Sequence, residues 1–406
     1  MHKSLGPPTI GIVTALPREF KAVVAMLENS NVVELSTKGA DQTFMLGALP
    51  SKNGHHSVAV LLLPDIGNNS SGIGAALMTS NYPSVECVFM VGIAGGIPDP
   101  SNPSEHVRLG DVVVSGREGV VQYDIGKMLA DRLVAKSPPR PPSARMLQAT
   151  RMLSAFDYKS KFYECIDAGL KAVRASRPAE SADILVRADD SSIAIVHPRD
   201  PQRDSGRPRV FVGAIASANQ VLKYPARRDQ LRDEHRAKAV EMEGSGIADL
   251  AWTRSIEYFV VRGICDYCDS NKGDDWQDYA AVVAAAYTRV LLSSLSSPSK
   301  SLNRRNVLVA VALAIPAAAV SAVALIHGNS PPQMGQVYIE AVQPPVDLSI
   351  DGVFIGRLTT DLPFTTVDLD EGNQRVVAES AHGQYERLVQ LKPGSSFMVQ
   401  IPPLAK

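Results

Sequence analysis

The chain has 406 residues, and its 41 Lys and Arg side chains are nearly balanced by 42 Asp and Glu side chains. This balance and an aromatic content of only 6% argue against a nucleic-acid-binding protein, which needs a basic face or aromatic stacking platforms. Four cysteines in so long a chain do not indicate a disulfide framework. Cys265 and Cys268 lack the second ligand pair of a zinc site, so we expect no metal.

From residue 8 to residue 295, short apolar runs alternate with helical patterns. Continuous β-branched runs, for example at 10–13, 58–63 and 258–261, indicate strands that are covered on both faces. Helical patterns lie between such runs, at 18–27, 71–80, 164–175, 246–254 and 276–294. This alternation predicts one α/β domain. The N-terminus lacks the apolar segment of a secretion signal, so we expect the domain to be cytoplasmic.

Several predicted strands of this domain end in acidic residues or glycines. Glu19 lies near the start of the helix after the first strand, and Glu243 and Asp266 follow two later strands. Because ligands collect at the carboxyl ends of strands in open α/β sheets, these acids are candidates for a site. A glycine-rich loop at 92–96 would let the backbone approach a ligand closely. Each acid alone is more often a solvated or capping residue, so the pattern leaves both interpretations open.

A serine-rich linker at 296–305 precedes a segment of 21 uncharged, mostly apolar residues at 306–326. This length is typical of a transmembrane helix, and a buried core helix or hairpin is the alternative. Arg304 and Arg305 precede the segment, so the positive-inside rule places residues 1–305 in the cytoplasm and the C-terminal part outside, in the periplasm. We therefore predict a single-pass membrane protein.

Residues 336–403 alternate short strand-like runs with turn residues. Asp351 and Gly352 lie between two such runs, 346–350 and 353–356, and this dipeptide is typical of a hairpin turn. The spacing of the runs predicts a small, antiparallel all-β domain.

Five ordered blocks in residues 8–295 carry a family resemblance. They are Ile-Gly-Ile-Val-Thr-Ala at 10–15, Val-Gly-Ile-Ala-Gly-Gly at 91–96, Val-Arg-Leu-Gly-Asp-Val-Val-Val-Ser at 107–115, Val-Glu-Met-Glu at 240–243 and Arg-Gly-Ile-Cys-Asp at 262–266. They resemble the nucleoside phosphorylase/nucleosidase superfamily, which includes purine nucleoside phosphorylases and methylthioadenosine/S-adenosylhomocysteine nucleosidases. The runs at 119–124 and 263–272 resemble its branch fused to signalling and defence modules. The resemblance implies a phosphorylase-like central mixed sheet flanked by helices, and a homo-oligomer.

The resemblance also implies a role for each acid in cleaving a purine N-glycosidic bond. Asp266 matches the acid that protonates the leaving purine near N7. Glu243 matches the carboxylate that accepts hydrogen bonds from the ribose 2′- and 3′-hydroxyls and stabilises positive charge on the sugar. Glu19 falls where nucleosidases carry the carboxylate that activates water. These three are the predicted catalytic residues.

Five further residues match positions where the family contacts its substrate. Ala94 and Gly95 would line the base pocket, and Met242 would pack beneath the sugar, where its alternative role is ordinary core packing. Asn219 and Gln220, at another strand end, fall where the family supplies base contacts.

The choice between water and phosphate as nucleophile rests on a residue at which this sequence differs from the phosphorylases. Met90 stands in a region where phosphorylases often carry a phosphate-binding arginine, and Glu19 is present, so water is favoured over phosphate. Arg117 and Arg18 leave phosphate open as a co-substrate; either could instead hold the 5′-phosphates of an adenine nucleotide or be a surface charge. We therefore expect a purine nucleosidase without a cofactor. A phosphate-dependent phosphorylase and a non-catalytic nucleotide-binding sensor are the alternatives.

The C-terminal segment resembles a PEGA domain, a small β sandwich of envelope proteins that carries no catalytic residues. The marks are Pro-Pro-Val-Asp-Leu-Ser-Ile-Asp-Gly at 344–352 and Leu-Asp-Glu-Gly at 369–372. The resemblance implies binding or sensing outside the membrane. As a whole, the sequence predicts a nucleosidase tethered to the membrane through 306–326 that acts on a purine nucleoside or adenine nucleotide, as a defence or signalling effector.

Overall fold

The coordinates are a computed structural model, which describes residues 6–37, 40–128, 133–135, 140–156, 158–270, 273–297, 335–341, 345–351, 353–358, 364–369, 372–381, 383–391 and 396–402. Contacts divide the chain into two units, Met1–Ala310 and Val311–Lys406. The domain bounds derived from the sequence, 8–295 and 336–403, stay predictions.

Strands and helices alternate along the first unit. In chain order they are β1 (Ile10–Thr14), α1 (Pro17–Val24), β2 (Glu28–Thr37), β3 (Ala40–Ser51), β4 (Gly54–Leu62), α2 (Asn68–Asn81), β5 (Cys87–Gly96), β6 (Val112–Gln122), β7 (Gly126–Met128), β8 (Leu133–Ala135), α3 (Ala144–Ala155), α4 (Lys159–Val173), β9 (Leu185–Val186), β10 (Ala194–Ile195), β11 (Val210–Ser217), α5 (Pro225–His235), β12 (Ala237–Glu241), α6 (Gly244–Arg254), β13 (Glu257–Asp266) and α7 (Gln277–Ser294).

A nine-stranded sheet forms the centre of this unit, in the order β12-β11-β6-β13-β5-β1-β4-β3-β2. Its inner strands β4, β1, β5 and β13 are mutually parallel, as are β6, β11 and β12. β13 and β6 run antiparallel, and so do the pairs β2–β3 and β3–β4. The predicted α/β class with a central mixed sheet is confirmed.

The inner strands are covered on both faces, as their continuous apolar sequences indicate. β13 is buried along nearly all its length, and α7 packs directly on it. A Cβ atom at Gly263 would lie 1.9 Å from the carbonyl oxygen of Ala280. Only a glycine therefore allows α7 to approach the strand this closely.

The end of β5 joins two parts of the sheet. Gly95 and Gly96 pair antiparallel with Val240 and Ala239 of β12, while the preceding residues of β5 pair in parallel with β13. The sheet thereby curls so that its first and fifth strands in spatial order meet. The carboxyl ends of β5, β12 and β13 consequently lie side by side, and the segments carrying the predicted site residues come together there.

The second unit consists of described strands in two sheets. The strands are β14 (Gly335–Ala341), β15 (Val346–Ile350), β16 (Val353–Leu358), β17 (Phe364–Leu369), β18 (Gly372–Ser380), β19 (Gly383–Leu391) and β20 (Ser396–Ile401). They pair in the orders β17-β14-β20 and β16-β15-β18-β19. Pairing is antiparallel except between β14 and β20, which are parallel. Alternate residues of β15 are buried, as expected for a strand with one face in a core.

The predicted single-pass membrane topology, with its cytoplasmic first domain and periplasmic C-terminal domain, is wrong. Across the part of the chain that the structure describes, every helix is too short or too polar to cross a membrane. The longest described helix, α7, has 18 residues but includes Asp278 and Arg289, and it buries its apolar residues in the core of the first unit. The predicted span at 306–326 lies outside the described residues.

Candidate active site

One arginine and three glutamates form a buried cluster where the strand ends meet. Arg262 of β13 is completely buried. Its Nη2 donates to Oε2 of Glu243 at 3.0 Å and to Oε2 of Glu241, and its Nη1 donates to the carbonyl of Ile93 at 3.3 Å. Glu19 is attracted to the same guanidinium. Because a buried charge is tolerated only with such partners, the arginine and the carboxylates fix one another's positions.

Glu19 lies in the first turn of α1 and points inward. Its Oε2 accepts hydrogen bonds from the amides of Ala15 at 2.8 Å and Leu16 at 2.9 Å, and its Oε1 accepts one from the Ile93 amide at 2.8 Å. Burial raises the pKa of Glu19, while Arg262 and the three amides act in the opposite direction. Three hydrogen bonds therefore hold the buried carboxylate in a fixed position.

Glu241 and Glu243 have different partners although they are two residues apart. Oε2 of Glu241 accepts from the amides of Glu243 at 3.0 Å and Gly244 at 2.7 Å, so Glu241 caps the start of α6. Oε1 of Glu243 accepts from the Gly67 amide at 3.1 Å. Burial raises the pKa of Glu243 to about 7; Arg262 lowers it, and the other two glutamates raise it further. Glu243 thus changes charge near neutral pH.

Asp266 ends β13 and is almost completely buried. Its Oδ1 accepts a hydrogen bond from the Cys268 amide at 2.8 Å, and its Oδ2 lies 3.3 Å from the Cys265 thiol, which donates to it. The turn that follows the strand therefore holds one oxygen of the carboxyl group, and the preceding residue of the strand holds the other.

Two glycines of β5 make room for these acids. A Cβ atom at Gly92 would lie 2.4 Å from Oε1 of Glu19. At Gly95 it would lie 2.9 Å from Oδ1 of Asp266 and 2.2 Å from Sγ of Cys268. The glycine-rich run therefore lets these acids approach the backbone of β5, whereas the close approach of a ligand stays a prediction.

A cavity of about 210 Å³ opens over the cluster. Seven of the nine residues singled out from the sequence line it: Glu19, Ala94, Gly95, Gln220, Met242, Glu243 and Asp266. Its further lining includes Val221, Leu222, Cys265 and Cys268, and it has no Lys or Arg among its described lining residues. The cavity thus combines an apolar wall with convergent carboxylates, the arrangement expected of a site for a small organic substrate.

Asn219 and Arg117 lie elsewhere. Oδ1 of Asn219 accepts a hydrogen bond from the Asn68 amide at 2.9 Å, and its own amide donates to Asp124 at 2.7 Å, so Asn219 caps the start of α2. Arg117 is exposed in a part of β6 whose register against β11 is broken. Arg117 is not among the described residues that line the cavity.

Glu241 and Arg262 lie within the sequence blocks at 240–243 and 262–266, but the sequence pattern assigns a role to neither of them. Arg262 interrupts an otherwise apolar strand at 258–264, and a charge inside a buried strand signals that it has opposite charges as partners. Glu241 lies two residues before Glu243, which places both near the same edge. Those two signals together point to the cluster.

A second groove adjoins the cavity. It is lined by Arg18 and Lys21 and shares Leu16 and Gln277 with the cavity. Arg18 donates to Asp278 at 3.2 Å, and both side chains are partly exposed. Leu16 and Gln277 therefore lie between the cavity and the positive charges of Arg18 and Lys21. Within the described ranges, no cluster of His, Cys, Asp and Glu is suited to hold a metal ion.

Comparisons with known proteins agree on one family. The model of the phosphorylase superfamily matches residues 9–296. The crystal structure of a Borrelia burgdorferi protein bound to adenine superposes with a TM-score of 0.50 at 15% identity, over 70% of this chain and 98% of that one. This likeness shows the phosphorylase-like α/β fold.

Curated relatives of the chain include free-standing and larger proteins. A 5′-methylthioadenosine/S-adenosylhomocysteine nucleosidase of Mycobacterium bovis is 28% identical over 71% of this chain and 96% of its own length. ATP nucleosidase Cap17 of Escherichia coli is 27% identical over 70% of this chain and 51% of its own length. A nucleotide-binding leucine-rich repeat (NLR)-like protein of Hyaloscypha variabilis is 31% identical over 72% of this chain, but only 30% of that protein is covered.

Proposed function

Because this chain belongs to the phosphorylase superfamily, we propose that its first unit hydrolyses the N-glycosidic bond of a purine nucleoside or nucleotide. The observation that carries the proposal is that Glu19, Glu243 and Asp266 line one cavity. Two relatives named as nucleosidases support this class of reaction. The identity of the substrate is the finer part of the proposal.

Each acid has a distinct task in the proposed reaction. Asp266 gives its proton to the purine, which leaves with the electron pair of the C1′–N bond. Glu243 accepts hydrogen bonds from the ribose hydroxyls and stabilises the positive charge that develops on the ring. Glu19 takes a proton from the water molecule whose oxygen bonds to C1′. One proton is given and one is taken, so the carboxyl groups must exchange a proton through solvent to complete the cycle.

Water is the better candidate for the nucleophile. A phosphate co-substrate needs cationic or amide donors around it, and the described lining of the cavity supplies no Lys or Arg. Arg262 lies behind the carboxylates and is already bound to them. Met90 is completely buried in β5, in the apolar core. These features support hydrolysis over phosphorolysis.

The second groove bears on the 5′ end of the substrate. Glu243 binds the amide of Gly67, next to Ile66, and Glu19 binds the amide of Leu16, so these apolar residues lie beside the proposed ribose position, away from Asp266. A 5′ group leaving the ribose past Leu16 enters the groove of Arg18 and Lys21. We propose that a nucleotide substrate would place its phosphates there.

Three finer assignments are proposals for the whole chain. We propose a PEGA-like binding domain at 336–403. We also propose a role as a signalling or defence effector, because two relatives are larger proteins of which this chain spans 30% and 51%. We also propose a homo-oligomer, since α2 exposes Ile73 and Leu77 on one face. A non-catalytic sensor is disfavoured, because binding alone needs neither the acid nor the water-activating carboxylate.

The test uses the full-length chain with adenosine, methylthioadenosine, AMP and ATP, each with and without inorganic phosphate. Chromatography measures free purine and the sugar product. We expect purine release from at least one compound without phosphate. Release that strictly requires phosphate would replace hydrolysis by phosphorolysis, and no release from any compound would contradict the proposed function for these substrates.

A further inference from the structure

Cys265 and Asp266 are adjacent in sequence, yet both side chains reach the cavity. In a regular strand, neighbouring side chains point to opposite faces. Here the register between β13 and β5 shifts: Ile264 is opposite Ala94, and Asp266 is opposite Gly95, so Cys265 is the extra residue. Such a bulge re-aims a side chain, and bulges are over-represented next to active sites. The bulge thus brings a thiol to the same side as the proposed catalytic acid.

The thiol of Cys265 has two acceptors within reach. Its Sγ lies 3.3 Å from Oδ2 of Asp266 and 3.5 Å from the carbonyl oxygen of Ala94. A thiol carries one proton, and rotation about the Cβ–Sγ bond directs it to one acceptor at a time. The better acceptor depends on the charge of Asp266, because a carboxylate attracts the proton more strongly than a neutral carboxylic acid does.

We propose that Cys265 is a positioning residue whose thiol turns from the Ala94 carbonyl to Asp266 as this acid gives up its proton. The role rests on the proposed function, in which Asp266 protonates the departing purine. The hydrogen bond then strengthens only as the carboxylate forms. An interaction that is stronger in the transition state than in the ground state raises kcat without tightening substrate binding. The Cys268 amide, at 2.8 Å from Oδ1, supports the other oxygen throughout.

Other titratable groups surround Cys265 and Asp266 and contribute to the pH dependence of activity. Those lining the same cavity are Glu19 of α1, Glu241 and Glu243 at the start of α6, and Cys268. Behind Cys265 and Asp266 lies a second cavity of about 150 Å³, which adds Tyr267, Asp269 and Asp275.

The kinetic test compares Cys265→Ala, which removes the donor, with Cys265→Ser, which keeps one. We expect Cys265→Ala to lower kcat about 5-fold, the effect of losing one weak hydrogen bond to a charged group, with KM changed less than twofold. Cys265→Ser should restore kcat. Cys87→Ala, at the opposite end of β5, is the matched control and should behave like the wild type.

Infrared spectroscopy tests the thiol without relying on catalysis. The S–H stretching band of Cys265 is obtained as the difference between wild-type and Cys265→Ala spectra. We expect this band to shift with pH in the protein that carries Asp266, and to lose that pH dependence in Asp266→Asn. A band that behaves identically in wild type and Asp266→Asn would overturn the proposal, whether or not the protein releases purine. If purine is released, equal loss of kcat in the Ala and Ser variants would also overturn it.

Discussion

At the scale of residues, three buried carboxylates line the cavity, and one buried guanidinium, that of Arg262, lies behind them. With every group ionised, three negative charges would face one positive charge, which is costly in a site shielded from water. Burial raises the pKa values of Glu19 and Glu243 accordingly. The cluster therefore retains protons at pH values where exposed glutamates have lost them.

This retention predicts how stability depends on pH. The pKa of Glu243 rises from its ordinary 4.5 to about 7 on folding. Between these values the Glu243 carboxyl group is ionised in the unfolded chain and protonated in the folded chain. The contribution of Glu243 to stability is therefore greatest below pH 4.5 and falls as pH rises towards 7. At about 1.4 kcal/mol per unit of pKa, the loss approaches about 3 kcal/mol. Urea denaturation of Glu243→Gln between pH 4.5 and 7 should give a clearly flatter profile, and an unchanged slope would contradict the shift.

Replacing Glu19, the carboxylate proposed to activate water, should separate hydrolysis from binding. We expect Glu19→Gln to reduce purine release about 10²- to 10⁴-fold, the usual contribution of a general base, with little change in substrate binding. Steady-state kinetics and equilibrium titration measure the two effects. Asp249→Asn, an exposed acid paired with Arg140, is the control and should leave both unchanged. Normal turnover in Glu19→Gln would assign water activation to another group.

At the scale of elements, α1 offers different faces to two sites. Glu19 points into the cavity, whereas Arg18 and Lys21 line the neighbouring groove. Reversing both basic charges should therefore change kcat/KM to an extent that depends on the 5′ group of the substrate. We expect Arg18→Glu/Lys21→Glu to lower kcat/KM for ATP at least about 10-fold by like-charge repulsion, and to leave methylthioadenosine within twofold. Equal effects on both compounds, in the same chromatographic assay, would show that the groove does not receive phosphates.

The contact between α7 and β13 gives a prediction on stability. A methyl group at Gly263 would meet the backbone of Ala280, which cannot move as a flexible side chain can. We expect Gly263→Ala to destabilise the first unit by about 2 kcal/mol or more, as overpacking of a core does. Gly6→Ala, where nothing lies within 4 Å of the added atom, is the control. Thermal unfolding of both variants measures the difference, which should be confined to Gly263→Ala.

The elements also explain which parts of the site could be predicted from sequence. Strand ends with acids and glycines are local patterns, so Glu19, Glu243 and Asp266 could be singled out. The family resemblance assigns Asn219 to the base, and this stays a prediction. Its hydrogen bond from the Asn68 amide joins residues far apart in sequence, and such long-range capping leaves no local pattern. The bulge at Cys265 is likewise invisible, because it depends on pairing with β5.

At the scale of the whole molecule, the two units have separate hydrophobic cores among the described residues. We therefore expect a chain ending at residue 310 to fold and to keep the unfolding temperature of the first unit and its rate of purine release. Differential scanning calorimetry of both forms should show the same main transition. Loss of activity or of that transition on truncation would mean that the first unit depends on residues 311–406.

The hydrogen bond between the Gly67 amide and Glu243 provides a signal that depends on the state of the candidate site. The Gly67 amide donates its hydrogen to Oε1 of Glu243, the carboxylate that titrates near neutral pH. The nuclear magnetic resonance signal of that amide should therefore move with pH about a midpoint near 7, and should respond when a ribose occupies the same oxygen. Gly67 has a positive φ of 112°, so the position suits glycine alone. A single backbone resonance would thus follow proton and ligand at once, without any added label in the cavity.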